Sequence, residues 1–435
     1  MPKKKKGKKK KKKKKGKKSS ASVAPAAYFP VVLSEKYRFG DVIKGALLSS
    51  ERNEADAQRR VDTAPEDLQT LRLARLGLDD LPLRFSRLDG LVNLDLSGNR
   101  LFDAIEVFDI LSCCSFLKEL NMCNNMLNGP IPPSIGKLSN LEILNLNSNN
   151  INVLDAEASK LTRLRKLILN GNKVSSLSAE CCSGWKMLRE LHCCRCGFQE
   201  LPGNLGDLDN LEELRLAKNK LISLPASLKN LKRLEYLDVS CNGLLSIPEE
   251  LALNEALRLM NFGDNAITFL PPILFEKLLQ LEFVFLYKNK IHAIPETVGR
   301  LSKLRILSVA NNKVSSIPSE VGACGSLEEL YCGGNAALKS LPSTMGKCSS
   351  LRALQVQACP KLKSLPTTLH EAKNLRDLDV TSGKKKQTCV IPSWLLEALP
   401  DLRIRGGKIK KSKNKPTPPR EGLGSPLVSP PPRPV

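Results

Sequence analysis

The sequence predicts an α/β solenoid, a horseshoe of about 14 repeats with a parallel concave sheet and short helices or 3-10 turns on the convex side. Two observations predict this fold. A pattern of spaced leucines recurs at steps of 23 or 24 residues, with one step of 26, and an asparagine follows at a fixed distance in most copies. Although 435 residues would suit about two or three domains, the unbroken period predicts one elongated domain.

The segment 304–314 contains the complete repeat, which reads L-x-x-L-x-L-x-x-N-x-L with valine accepted at leucine positions. Leu307 and Val309 alternate with Ser308, so the predicted strand has one buried face and one open face. Asn312 is predicted to point inward and to bond backbone groups of its own and the neighbouring repeat. The first leucines of the fourteen copies are Leu68, Leu91, Leu117, Leu141, Leu164, Leu188, Leu211, Leu234, Leu257, Leu281, Leu304, Leu327, Leu351 and Leu375.

Ten copies carry asparagine at the inward position, and cysteine replaces it at Cys196 and Cys359. The first and last copies break the rule with Leu76 and Gly383, which is typical of solenoid ends because a terminal repeat has only one neighbour. The ten asparagines are Asn99, Asn125, Asn149, Asn172, Asn219, Asn242, Asn265, Asn289, Asn312 and Asn335.

Charge and composition divide the chain into regions. Fourteen lysines and no acid lie in residues 1–18, and nine basic residues and one glutamate lie in 403–435, so the tails hold nearly all of the net charge of +24. Such runs repel themselves and cannot build a core. The predicted regions are a disordered Lys-rich tail (1–27), an N-terminal capping helix (28–67), the solenoid (68–390), a C-terminal cap (391–405) and a disordered basic, Pro-rich tail (406–435).

The cysteines and the apolar runs bear on the compartment. Fourteen cysteines are scattered inside the repeats instead of being paired in end caps, which is typical of free thiols in a reducing compartment. No apolar run approaches 18 residues, and the N-terminus lacks the apolar stretch of a signal peptide, so we expect no transmembrane helix. The predicted location is cytoplasmic, with the nucleus and the cilium as alternatives.

Repeats that end in Leu-Pro or Ile-Pro, such as 211–243 and 327–365, resemble the cytoplasmic Ras-group leucine-rich-repeat scaffolds. Within them Leu327–Tyr331, Leu338–Pro342 and Cys348–Leu351 look like that family. The resemblance implies a scaffold that brings small GTPases, kinases or phosphatases together. The tails contain no basic-x-Val/Ile-x-Phe docking motif, which argues against phosphatase recruitment.

The sequence contains no pattern typical of catalysis or cofactor binding. None of its three histidines joins a nucleophile motif, and there is no Gly-rich phosphate loop. The segment 192–196 has metal-binding residue types, but the repeat register points Cys193 and Cys196 into the core and leaves only His192 and Cys194 outside. We therefore predict a non-catalytic protein with no cofactor and no metal site.

The open strand face is predicted to carry an apolar and aromatic patch. In the tenth repeat Phe283, Phe285 and Tyr287 alternate, so they must share this face, and the chain has only nineteen aromatic residues. Such a patch is typical of the centre of a protein interface. The predicted partner-binding residues are Phe283, Phe285, Tyr287, Tyr331, Tyr236, Leu259 and Ile306, with Asp238, Arg215 and Glu329 on the charged rim.

Two interpretations of this patch remain open. In the first, its side chains are exposed to solvent, and the double change Phe285→Ala with Tyr287→Ala leaves the fold intact while weakening partner binding. In the second, Phe283 and Phe285 pack on each other or beneath a tail.

Two functions follow from these observations. The first is a non-catalytic scaffold in signal transduction that binds a protein partner on the concave face. The alternative is a structural component of a ribonucleoprotein, axonemal or cytoskeletal assembly, tethered by its basic tails, with Lys3–Lys18 in contact with a polyanion. Thr417, Ser425 and Ser429 each precede a proline and are candidate phosphorylation sites in the C-terminal tail.

Overall fold

The computed structural model describes residues 54–382, except 66 and 83, and residues 389–410. Its α-helices are α1 (Glu54–Asp62), α2 (Ala104–Leu111), α3 (Ala179–Gly184), α4 (Pro272–Lys277) and α5 (Ser393–Ala398). Its strands are β1 (Thr70–Arg72), β2 (Asn93–Asp95), β3 (Glu119–Asn121), β4 (Asn128–Ile131), β5 (Ile143–Asn145), β6 (Asn150–Leu154), β7 (Lys166–Ile168), β8 (Glu190–His192), β9 (Glu213–Arg215), β10 (Tyr236–Asp238), β11 (Leu259–Asn261), β12 (Phe283–Phe285), β13 (Ile306–Ser308), β14 (Glu329–Tyr331), β15 (Ala353–Gln355), β16 (Asp377–Val380), β17 (Val390–Pro392), β18 (Arg403–Gly406) and β19 (Lys408–Lys410).

Fifteen of these strands form one parallel sheet in chain order, and this confirms the predicted solenoid. Each of the fourteen repeats contributes one strand to the sheet. The remaining strands form two small parallel pairs, β4 with β6 and β17 with β19. Residues 1–53 and 411–435 lie outside the described residues, and with them the predicted Lys-rich tail, most of the predicted N-terminal helix and most of the predicted C-terminal tail.

The C-terminal end differs from the prediction in two ways. The segment predicted as a cap supplies a fifteenth strand, β18, in which Ile404 pairs with Leu378. The first residues of the predicted tail form β19, in which Ile409 pairs with Ile391. Both strands satisfy backbone groups at the edge of the last repeat, a need that leucine spacing does not reveal.

The inward asparagines bond as predicted. Asn312 Oδ1 accepts a hydrogen bond from Ile291 N at 3.0 Å, and its Nδ2 donates to Leu286 O at 2.8 Å and to Val309 O at 3.0 Å. Each side chain therefore joins its own turn to the preceding repeat. At the substituted position the Cys196 thiol donates to Leu169 O at 3.2 Å, which replaces only one of these bonds to the preceding repeat.

The side of each repeat opposite the sheet is built from short helical turns, as predicted. In most Leu/Ile-Pro repeats the proline immediately precedes the turn, as Pro318 does with φ −66° before the turn Ser319–Ala323. In the longer second repeat, Asp103 caps α2 by accepting from Ile105 N and Glu106 N. The 3-10 turns are Phe85–Arg87, Pro133–Lys137, Ala156–Lys160, Leu205–Asp207, Ala226–Asn230, Glu249–Leu253, Glu296–Arg300, Ser319–Ala323, Ser343–Lys347 and Thr367–Glu371.

Close stacking of these turns leaves no room for a side chain at several glycines, of which Gly206 is the clearest case. A Cβ on Gly206 would lie 2.1 Å from Ser227 O, whereas a Cβ on Gly203 would meet no atom within 4 Å. We expect Gly206→Ala to lower the free energy of unfolding by about 1–3 kcal/mol because the two turns must move apart. Gly203→Ala is the matched control and should leave it nearly unchanged. Denaturant unfolding of the two variants checks this, and equal midpoints would contradict the close stacking.

Candidate protein-binding face

The ten predicted partner-binding residues lie together on strands β9 to β14 or immediately after them. Parallel register places Tyr236, Leu259, Phe283 and Ile306 side by side on four neighbouring strands. Their inward neighbours, such as Val284, are fully buried in the core. The predicted residues therefore share the face of the sheet opposite the core, which we call the open face.

The predicted solvent exposure of the patch is wrong. Phe285 is only 2% exposed and Phe283 only 6% exposed. The half-buried members are Tyr287, Tyr331, Arg215 and Glu329. The members with less than 9% exposure are Tyr236, Leu259, Phe283, Phe285, Ile306 and Asp238. Alternation along a strand assigns a side chain to a face, but it does not determine how far that face is covered.

Packing between neighbouring repeats contributes to this burial. The Arg305 guanidinium carbon lies 5.6 Å from the centre of the Phe283 ring, and the Arg215 guanidinium carbon lies 4.8 Å from that of Tyr236. These distances are typical of cation–π contacts. The Tyr287 ring occupies the space that a side chain on Gly263 would need, since a Cβ there would be 2.4 Å from the ring.

Burial also changes the titration of the polar groups on this face. It raises the pKa of Tyr287 to about 12. It also raises the pKa of the Asp238 carboxyl, whose Oδ1 accepts a hydrogen bond from Ser240 N at 3.0 Å. The Tyr287 hydroxyl and the Asp238 carboxyl therefore lie in a poorly solvated region. An electrostatic interaction with a charged group of a partner is stronger there than in water.

A row of charged residues beside the patch was missed by the sequence analysis. Lys166 Nζ lies 2.6 Å from Glu190 Oε2, and His192 Nε2 lies 2.8 Å from Glu213 Oε1. Arg215 is in contact with the same Glu213 oxygen. The repeat register contains the signal, because these residues hold equivalent outward positions in the fifth, sixth and seventh repeats.

All fourteen cysteines lie within the described residues, and all are free thiols. Cys193 and Cys196 are buried in the core, as the register predicted. Burial raises the pKa of Cys196 to about 11 and that of Cys182 to about 12. These thiols are protonated at neutral pH and act as small apolar core residues.

Family models match most of the repeat region. A leucine-rich repeat region model matches residues 255–423, a leucine rich repeat model matches 139–198, and a further leucine rich repeat model matches 116–138 and 233–253. The chain is a leucine-rich-repeat protein. Membership of this family suggests a role in protein interaction. The matched models do not distinguish the Ras-group scaffolds from other leucine-rich-repeat proteins.

Solved leucine-rich-repeat structures resemble this leucine-rich-repeat protein over most of its length. A leucine-rich-repeat protein of Leptospira interrogans is 28% identical, with a TM-score of 0.64, covering 82% of this chain and 100% of that one. The ectodomain of the plant receptor kinase GASSHO1/SCHENGEN3 of Arabidopsis thaliana, solved with CASPARIAN STRIP INTEGRITY FACTOR 2, is 25% identical with a TM-score of 0.63. That match covers 79% of this chain and 45% of the ectodomain.

An internalin of Listeria monocytogenes shares the fold of this leucine-rich-repeat protein at 20% identity and a TM-score of 0.62, covering 83% of this chain and 95% of that one. Among curated proteins, a search of the sequence found no significant match. Within the described residues, the helices are too short or too polar to cross a bilayer.

Proposed function

We propose that this leucine-rich-repeat protein is a non-catalytic scaffold in intracellular signal transduction, which binds a protein partner on the open face around strands β10 to β14. The observation that carries the proposal is the group of half-buried outward side chains of Tyr287, Tyr331, Arg215 and Glu329, which lies beside a continuous row of four apolar positions on that face. The outward face of a sheet usually carries polar side chains, so four adjacent apolar or aromatic positions on this face are unusual. Aromatic and apolar residues are typical of the centres of protein interfaces.

The half-buried residues are where such a partner makes its first contacts. Tyr287, Tyr331, Glu329 and Arg215 combine aromatic surface with both signs of charge, a mixture that suits a protein better than a nucleic acid. An ordinary interface buries about 800 Å² on each partner, so part of a fifteen-stranded sheet is sufficient. The GASSHO1/SCHENGEN3 ectodomain, solved with its integrity factor, supports partner binding by this type of repeat.

The class of partner belongs to the same proposal. By resemblance to the Ras-group scaffolds, we infer a small GTPase or a kinase or phosphatase. The fourteen free thiols support a reducing compartment for this encounter.

Tyr331 offers the most direct test because its side chain is only half-buried. We expect Tyr331→Ala to weaken binding of the native partner at least about thirtyfold, since loss of an aromatic anchor costs about 2 kcal/mol or more. Partners are captured from native cells with the full chain, identified by mass spectrometry, and their affinities measured with purified proteins.

The matched control is Ile168→Ala, a half-buried outward residue on β7, three strands away from β10. It should leave the affinity nearly unchanged. Equal affinities for wild type and Tyr331→Ala would exclude this part of the face.

The second candidate function rests on the fourteen lysines in residues 1–18. A tether to a polyanion depends on salt, because binding releases counterions. Capture with and without residues 1–27 and 406–435, at low and high salt, separates the two candidates. Partners that survive tail deletion support the scaffold, whereas partners lost with the tails and with salt support the tethered assembly.

A further inference from the structure

Three side chains with metal-binding atoms converge beside the apolar row. Glu190 and His192 lie on β8 and Glu213 lies on β9, all on the open face. Their donor atoms all lie within 4.8 Å of one another. His192 Nε2 is 2.8 Å from Glu213 Oε1 and 3.5 Å from Glu190 Oε2.

These separations suit a tetrahedral zinc ion. Zinc binds histidine nitrogen and carboxylate oxygen at about 2.0–2.2 Å, so two ligands of one tetrahedron lie about 3.4 Å apart. The distances from His192 Nε2 to the two carboxylates, 2.8 Å and 3.5 Å, lie on either side of this value, and all three donors lie within 4.8 Å of one another. Small side-chain rotations would therefore bring the three donors to one ion.

The environment of His192 is the second, independent observation. The residue is 8% exposed, and its Nε2 makes no hydrogen bond of acceptable geometry despite two nearby carboxylates. In the tautomer with its proton on Nδ1, His192 directs the lone pair of Nε2 at two carboxylate oxygens. The arrangement becomes favourable when a cation lies between the three groups.

We propose that Glu190, His192 and Glu213 bind one Zn²⁺ ion on the open face, with the fourth coordination position directed away from the core. Three protein ligands and one open position are the arrangement of zinc sites that accept an external ligand. A water molecule or a side chain of a bound partner fills that position. The site goes beyond the scaffold role, since it does not require the aromatic patch to bind a partner.

Two basic residues compete with the metal. Lys166 pairs with Glu190 at 2.6 Å, and Arg215 contacts Glu213. Zinc must displace or share these two partners, and removal of Lys166 should therefore strengthen binding.

The test titrates ZnCl₂ into the full, metal-free chain, with calorimetric detection and a non-thiol reductant. We expect one binding event that His192→Ala weakens at least about tenfold and Lys166→Met strengthens about tenfold. His370→Ala is the matched control, because that histidine lies in the turn Thr367–Glu371, away from the site, and the substitution should leave the event unchanged. Circular dichroism melting establishes that each variant is folded.

Cobalt identifies the ligands independently. The absorption spectrum of the Co²⁺-loaded protein should indicate nitrogen and oxygen ligands without thiolate charge-transfer bands, since the nearby Cys194 is not among the proposed ligands. Zinc binding that is equal in wild type, His192→Ala and Lys166→Met would overturn the site. A thiolate spectrum would overturn it as well, because the metal would then be bound by cysteines.

Discussion

Phe283→Ala is expected to lower the free energy of unfolding by about 3–5 kcal/mol, the usual cost of truncating a buried phenylalanine. The side chain is 6% exposed, lies between Leu259 and Ile306 on the flanking strands, and has the Arg305 guanidinium over its ring. Its loss leaves a cavity and removes the cation–π contact. Denaturant unfolding followed by circular dichroism measures the change.

Phe269→Ala is the matched control for this substitution. Phe269 is 61% exposed, so its truncation should change stability by no more than about 0.5 kcal/mol. If both variants unfold at the same denaturant concentration, the open face is exposed in solution. The burial of Phe285 also means that Phe285→Ala with Tyr287→Ala should destabilise the protein, contrary to the expectation from sequence.

Asn312→Ala is expected to lower the free energy of unfolding by about 1–3 kcal/mol. The substitution leaves Ile291 N without its acceptor, and a buried orphaned group costs about 1–3 kcal/mol. Leu286 O and Val309 O each keep a second donor, from the side chains of Asn289 and Asn335. Asn312→Cys should be intermediate, because Cys196 makes one such bond to the preceding repeat from the equivalent position. Thermal and denaturant unfolding of the three proteins would establish the order.

Asn374→Ala provides the comparison on the surface. Asn374 is exposed and donates one hydrogen bond, to Ser349 O at 2.8 Å, so its loss should have a small effect. Similar stabilities for the Asn312 and Asn374 variants would mean that the buried amide does not hold neighbouring repeats together.

The repeat fold was predictable because each residue in the pattern has one physical task. Leucines fill the core, and Asn312 and its equivalents bond the backbone groups of the turn. The spacing of these residues alone therefore located fourteen strands. The C-terminal strands β18 and β19 have no such pattern. They form because an adjacent edge offers unpaired backbone groups, which is a tertiary effect.

For the candidate site, the sequence predicted which residues lie side by side but not how deeply they are buried. Equivalent positions in successive repeats place Leu259 beside Phe283, and the sequence contains this relation. The extent of burial depends on how rings and guanidinium groups lean across strands, as Tyr287 does over Gly263. The cluster of Glu190, His192 and Glu213 was missed because its members come from two repeats.

The strand β18 has a consequence for how copies of the protein behave in solution. A parallel sheet with an open edge is a template on which a second molecule can continue the ladder into a fibre. If β1 of another copy paired with β18 in the register of the sheet, Arg72 would lie beside Arg405, and Thr70 beside Arg403. Arg403, Arg405, Lys408 and Lys410 are all exposed at this end. Within the described residues, the like charges of Arg72 and Arg405 at strand spacing therefore oppose end-to-end growth.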